Sequence, residues 1–400
     1  MKRGSYRTGR ERVERILDAS HELFISAGYR ATSLRDIAAA SGISHPALLR
    51  HFSSRAEILT ALVDRIDRQD EDWRSIDPEA GGRLPSMADT ARRNEATPGW
   101  IPLFTALLGE ATSPEHPGHE LMRERRRHGT ALGVRLLSPW GGDERSVKLA
   151  FQRFGAAWDG LQILSLYFPG RIDIPTQLAA HENDLRTNGI PSAPPAKERP
   201  ARTAPALAAG TTADEETARS RGVRSAARLY ARHGYYDTSM QAVADDAGLT
   251  KAALVHVAPT KRALLDLVVA ELFAATPDES DPESRLQALL DRPRWQAAAE
   301  IVLMCEATVP SHPAHGHMAG RLKYSLSSAA RELAAAKPMT EAEARAGAQW
   351  IVALTLGALI AWLYEPEEIE LGPLVEGALP TRAHADAVVD ADTAREALTH

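Results

Sequence analysis

What most restricts the fold of this 400-residue chain is that it repeats itself. Residues 15–65 align without a gap on residues 221–271, an offset of 206 positions. The pairs Leu23/Leu229, Gly28/Gly234, Tyr29/Tyr235, Thr32/Thr238, Ser33/Ser239, Gly42/Gly248 and Leu48/Leu254 are identical. EATSPEHPGH at 110–119 returns as EATVPSHPAH at 306–315, with seven of ten positions the same. Gly160, Tyr167, Pro169 and Ile172 return as Gly357, Tyr364, Pro366 and Ile369. Three matches in one order mean that a unit of about 190 residues is present twice, so each half must find the same kind of core.

The periodicity inside the unit is helical. Val13, Ile16, Leu17, Ser20, Leu23, Phe24 and Ala27 fall on one stripe of period near 3.6. No run alternates with period two for long enough to argue a sheet, so the expected fold class is all-α. From Ala346 to Tyr364 nineteen residues carry no charge, close to the length that spans a bilayer. The repeat argues against a span there. Its partner segment, 149–168, holds Arg153 and Asp159, so both segments read as buried helices, ended by Pro366 and Pro169.

Cys305 is the single cysteine and lies in an apolar run, IVLMCEA, so no intrachain disulfide is possible. No apolar stretch follows the basic start MKRGSYRTGR, so a cytoplasmic location is expected. The formal net charge is −6, yet residues 1–59 carry 10 Lys+Arg against 6 Asp+Glu. A phosphate backbone responds to that local density rather than to the total.

The basic stretch holds the most informative motif, SLRDIAAASGISHPALLRHF at 33–52. Ser33 is placed to cap a helix, with Asp36 three residues on as in a capping box. Leu34, Ile37 and Ala38 give that helix its apolar face. Gly42 suits a left-handed turn, Ser44 caps a second helix and Pro46 suits its first turn. Two short helices joined through such a turn form a helix-turn-helix, whose second helix enters the major groove of DNA.

The run AGYRATSLRDIAAASGISHPALLRHFSSRAEIL (27–59) resembles the DNA-binding domain of TetR-family transcriptional regulators, and HGYYDTSMQAVADDAGLTKAALVHVAPTKRALL (233–265) is a more divergent copy. The resemblance implies two tandem units, each a three-helix head on a helical body. The expected division is a head at 1–65, a body at 66–187, a Pro/Ala-rich linker at 188–213, a second head at 214–271, a second body at 272–380 and a tail at 381–400. It also implies a ligand-responsive repressor whose bodies dimerise through two helices each and whose heads release DNA when a small molecule binds. This sequence departs from the family at Leu49, where an aromatic is usual, and at Arg55, where lysine is usual. The second copy has Val255, Val257 and Ala258 in place of aromatic or histidine residues, and Asp245 and Asp246 lie beside its recognition region.

Arg50 is the candidate for a bidentate pair with guanine, and His45 for a base or phosphate. Thr32, Ser33, Ser44, His51 and Arg55 are placed for phosphates. Lys2, Arg3, Arg7 and Arg10 read as a flexible basic arm. The corresponding candidates in the second head are Thr238, Ser239, Thr250, Lys251, His256 and Lys261. A chain holding both heads can form the dimer within itself, or pair again as a homodimer with four heads, and its unlike recognition segments call for an asymmetric operator with half-sites roughly 34–36 Å apart. The alternative is a sensor or assembly protein in which the second head, or both, has left DNA. Trp100, Phe104, Trp158 and Tyr167 in the first body, and Trp295, Met304, Trp350 and Trp362 in the second, are candidate pocket residues. His116 and His119, with His312, His315 and His317, have spacings a metal uses, but their prolines suit a loop, and neither metal nor cofactor is expected. No phosphate loop, dinucleotide-binding glycine pattern or nucleophile elbow is present, so an enzyme is not expected.

Overall fold

The structure is a computed structural model that describes residues 3–29, 32–69, 86–194, 217–272 and 282–376. Among these residues there are eighteen α-helices and no strand, the expected all-α class. The first unit contains α1 (Arg3–Ser26), α2 (Leu34–Ala40), α3 (His45–Leu48), α4 (Arg55–Gln69), α5 (Met87–Ala96), α6 (Trp100–Glu110), α7 (His119–Leu137), α8 (Glu144–Tyr167) and α9 (Ile174–Asn188). The second repeats the order with α10 (Ala218–Asp237), α11 (Met240–Asp246), α12 (Lys251–Val257), α13 (Lys261–Leu272), α14 (Pro282–Asp291), α15 (Arg294–Glu306), α16 (His315–Ala336), α17 (Glu341–Tyr364) and α18 (Leu371–Val375).

Each head closes over the stripe read from the sequence. Ile16, Leu17, Ser20 and Phe24 of α1 are buried with Ile37, Leu48 and Phe52. The Ser20 hydroxyl is tolerated inside because it donates to the Ile16 carbonyl one turn back (2.6 Å). Ala27 is exposed, because α1 ends at Ser26 and the stripe ends with it. Gly28 and Gly234 then take φ of +91° and +70°, a left-handed conformation that costs L side chains about 1–2 kcal/mol.

The two bodies share one core, built on α8 and α17. A methyl group on Gly160 would sit 1.9 Å from the Ala353 carbonyl oxygen, and one on Gly357 1.8 Å from that of Ala156. The helices therefore approach to backbone contact at two matching points. Around them the hydroxyl of Tyr167 donates to the Met304 carbonyl (2.7 Å) and that of Tyr364 to the Leu108 carbonyl (2.9 Å). The contacts are reciprocal, each unit giving to the other what it receives. α17 is long and apolar enough to cross a membrane, but most of it is buried in this shared core.

Several boundaries differ from the sequence reading. The basic arm is instead part of α1, which includes Arg3, Arg7 and Arg10; Lys2 lies outside the described residues. The head limit at 65 falls inside α4, which continues to Gln69 and so belongs to head and body together. The linker does not begin at 188. Ala193 N–H donates to Ser146 Oγ (2.8 Å) and Arg145 donates to the Pro194 carbonyl, which pin 191–194 to the start of α8. The rest of the expected linker and the tail at 381–400 lie outside the described residues.

Candidate nucleic-acid interface

The first head presents its motif much as the caps dictate. Ser33 Oγ accepts from Asp36 N–H (3.2 Å), and the Asp36 carboxylate accepts from Ser33 N–H (2.9 Å) and Oγ (2.6 Å), closing a capping box. Those bonds to the charged form hold the Asp36 carboxyl below the usual carboxylate range. Gly42 at φ +66° turns the chain, and Ser44 Oγ caps α3 by accepting from Ala47 N–H (3.3 Å). Leu48 and Phe52 face inward. Ser33, Ser44, Leu49 and Arg50 are exposed, and His45 and His51 half-buried, so the Ser44–Phe52 segment faces outward between its two anchors. Its helix is shorter than the sequence suggests: α3 ends at Leu48, and Leu49 to His51 form a turn.

The second head repeats this plan with a full two-turn α12. Ser239 and Thr250 cap α11 and α12, with Oγ accepting from Ala242 N–H (3.0 Å) and Oγ1 from Ala253 N–H (3.1 Å). Lys251, Val255 and His256 are exposed on α12, beside the exposed Asp245 and Asp246. Leu49 and Val255 stand at the same place in their heads, and both are exposed.

Thr32 and Thr238 do not face outward as the sequence reading expects. Both are buried, and their hydroxyls donate to the Gly28 (2.9 Å) and Gly234 (2.8 Å) carbonyls. A threonine after a helix end finds the free carbonyls of that end first. Arg10 lies exposed on α1.

Arg55 and Lys261 open α4 and α13 and sit in matching nests. The Arg55 guanidinium lies over the Tyr29 ring (5.6 Å) and donates to the Thr32 carbonyl (3.4 Å). Lys261 Nζ lies over Tyr235 (4.6 Å) and donates to the Tyr236 carbonyl (2.9 Å). Burial pushes the Lys261 pKa down. Arg55 also reaches across to the other head, donating to the Asp237 carboxylate at 3.2 Å. Sequence reasoning missed this partner, because nothing local connects positions 182 residues apart.

It also missed what the repeated EAT–HP–H segment does. The Tyr29 hydroxyl donates to Glu110 (3.2 Å) and the Tyr235 backbone N–H to Glu306 (2.8 Å), tying each head to its own body. His119 stacks on Tyr364 (5.6 Å) and His315 on Tyr167 (5.3 Å), each ring belonging to the other unit. Their Nδ1 atoms donate to the Ala111 and Ala307 carbonyls, both at 2.7 Å. Each copy of the segment thus joins head, body and opposite unit, which is the signal its repetition carried.

Of the candidate pocket residues, Trp100, Phe104 and Trp158 line one cavity of about 200 Å³ in the first body. Trp100 and Phe104 stack at 5.3 Å under the Arg125 guanidinium, which pairs with Asp67 at the end of α4. The others lie elsewhere. Tyr167 is spent on the contacts above, Met304 and Trp362 are buried in the shared core, and Trp350 packs on His181 (4.3 Å). Trp295 lies under Arg228 at the core margin.

The family model described as bacterial regulatory proteins, tetR family, matches residues 16–62 and again 223–268. A helix-turn-helix transcriptional repressor of Mycobacterium tuberculosis (strain ATCC 25618 / H37Rv) is 43% identical over 60 residues, 15% of this chain and 32% of the relative. The transcriptional activator FasR of Mycolicibacterium smegmatis (strain ATCC 700084 / mc(2)155) is 38% identical over 64 residues, 16% of this chain and 29% of the relative. The chain spans about a third of the length of the curated relatives it matches.

Proposed function

We propose that this chain, a member of the TetR family of bacterial regulatory proteins with two TetR-like units, grips duplex DNA as an intrachain pseudo-dimer and releases it when a small molecule enters the first body. The observation that carries this reading is the pairing of two outward-facing helix-turn-helix heads on bodies joined by reciprocal contacts.

In this reading Ser33, Ser44, Arg55, Ser239, Thr250 and Lys261 contact phosphates and set register, while Arg50 reads a guanine edge. His45 and Lys251, at matching helix starts, reach a base or phosphate from each head. His51 and His256 take phosphates at the flanks. The two segments differ in sequence, so the operator is asymmetric. The second head contributes less, because the exposed Asp245 and Asp246 repel phosphate. The coupling element is α4, with Arg55 at one end and Asp67 at the wall of the cavity at the other. A ligand that moves Arg125 moves Asp67, and a rigid helix carries that shift to Arg55. One relative is named a repressor and the other an activator, so likeness of the head speaks for grip and not for the sign of regulation.

The test is selection of bound duplexes from a random pool. The wild-type chain is expected to enrich a non-palindromic site whose affinity falls linearly in log–log with salt. Arg50→Ala loses preference at one base position, at a cost of about 1–3 kcal/mol, whereas Lys251→Ala acts on the other half-site. A palindromic site, or affinity indifferent to salt, refutes the reading.

A further inference from the structure

Two of the side chains lining the cavity of the first body leave a polar atom without a protein partner. Trp100 and Gln162 both line it, both side chains are almost wholly buried, and neither Trp100 Nε1 nor Gln162 Oε1 has a hydrogen-bond partner. Leaving a donor and an acceptor buried and unmade is costly. A site that carries both is shaped for something that supplies the complements.

The arginines and carboxylates lining the cavity are already paired. Arg125 pairs with Asp67, Arg126 with Asp159 (2.6 Å) and Glu365 with Arg127 (2.9 Å). A charged ligand would have to break one of these partly buried pairs, so a neutral one is favoured. The walls include Trp100, Phe104, Phe151 and Trp158, which suit flat rings. At about 200 Å³ the cavity exceeds the ~150 Å³ that holds benzene and falls short of the ~300 Å³ where drug-sized sites begin. It therefore has room for one or two fused rings.

In the second unit the matching positions have been rebuilt. Phe104 corresponds to Glu300, which is buried and takes both Arg292 and Arg321, the latter in the place of Arg125. Gln162, Asp159 and Arg126 correspond to Leu359, Leu356 and Leu322, all buried. Trp100 corresponds to Gln296 and Phe151 to Ala348. The donor, the acceptor and the aromatic walls are absent together.

We propose that each chain binds one neutral aromatic compound of one or two rings bearing a hydroxyl or amide, in the first body alone, with Trp100 Nε1 donating to that group and Gln162 Oε1 accepting from it. This rests on the effector reading above for its biological sense but not for its measurement, since binding is read without DNA.

The probe is 2-naphthol, titrated calorimetrically into the full-length chain, with naphthalene and 2-naphthoate as comparisons. The expected result is one molecule of 2-naphthol per chain, bound more tightly than either comparison. Trp100→Phe keeps a ring and removes the donor, and Gln162→Met removes the acceptor. Each is expected to weaken 2-naphthol about two- to tenfold, as for a single neutral hydrogen bond, and to leave naphthalene unchanged. Far-UV circular dichroism confirms that both variants fold. Two molecules per chain, tighter binding of 2-naphthoate, no binding of 2-naphthol, or equal losses for 2-naphthol and naphthalene would each overturn the proposal. Binding of 2-naphthol with no change in DNA affinity would leave the site standing and remove the effector reading instead.

Discussion

At Arg55 and Lys261 a repeated position keeps its charge and changes its surroundings. Both rest on a tyrosine ring and a loop carbonyl, but only Arg55 extends to the opposite head. A planar guanidinium presents several donors at once and serves three partners, where an ammonium on a single stem does not. His181 shows the opposite case, a titratable side chain buried among aromatic rings. It packs on Trp350 (4.3 Å) and Phe154 (5.7 Å), and burial together with the nearby Arg153 guanidinium pushes its pKa down to about 3. The unfolded chain takes a proton there below about pH 6.5, while the folded chain does not until about 3. The folded state is therefore penalised as pH falls through that window. Thermal melting at pH 7 and pH 4.5 is expected to show a larger drop for the wild type than for His181→Gln. Equal drops would mean that the ring is protonated in the fold.

Among the helices, α8 and α17 matter most, because their backbones touch. Gly160 and Gly357 permit this by lacking a Cβ, and no neighbouring side chain has to give way, since the atom in the path is a carbonyl oxygen. Gly160→Ala or Gly357→Ala must push the helices apart or shift their register. Overpacking of this kind costs about 1–3 kcal/mol, and the double variant is expected to lose more than either single one. Gly320→Ala, on α16 with open space around the added methyl, is the control, and denaturant melts should leave it unchanged or slightly stabilised. If Gly160→Ala melts like Gly320→Ala, the close approach does not hold in solution. The helix-turn-helix elements were readable from their caps, because Ser33, Ser44, Ser239 and Thr250 each accept from a backbone N–H three residues on. The end of α3 at Leu48 was not readable, because caps mark where a helix begins and tertiary packing decides how far it runs.

Over the whole molecule the two heads are linked directly as well as through their bodies. The Arg55–Asp237 pair holds a phosphate-seeking cation against a carboxylate of the other head. Such a partly exposed pair is worth about 0–1 kcal/mol, so it biases the heads without locking them. Asp237→Asn is expected to raise DNA affinity up to about fivefold at low salt, the whole worth of the pair. Asp245→Asn, which removes an equal charge from the same head, is expected to raise it less. Equal gains would reduce the effect to net charge, and a loss would mean that the pair positions the heads for DNA.

The all-α class, the duplication and both helix-turn-helix segments were legible in the chain itself. Each rests on local physics: helical period, caps, glycine turns, or a motif seen twice. Only the assembled structure decided which side of a residue faces inward once two units meet. Thr32 and Thr238 turned in to free helix-end carbonyls, Tyr167 and Tyr364 crossed to the opposite unit, and the second body buries Glu300 and leucines where the first has Phe104, Arg126, Asp159 and Gln162 around a cavity. A repeat makes two halves fold alike. It leaves open how they bury each other, because that depends on pairs of surfaces that no single stretch of sequence contains.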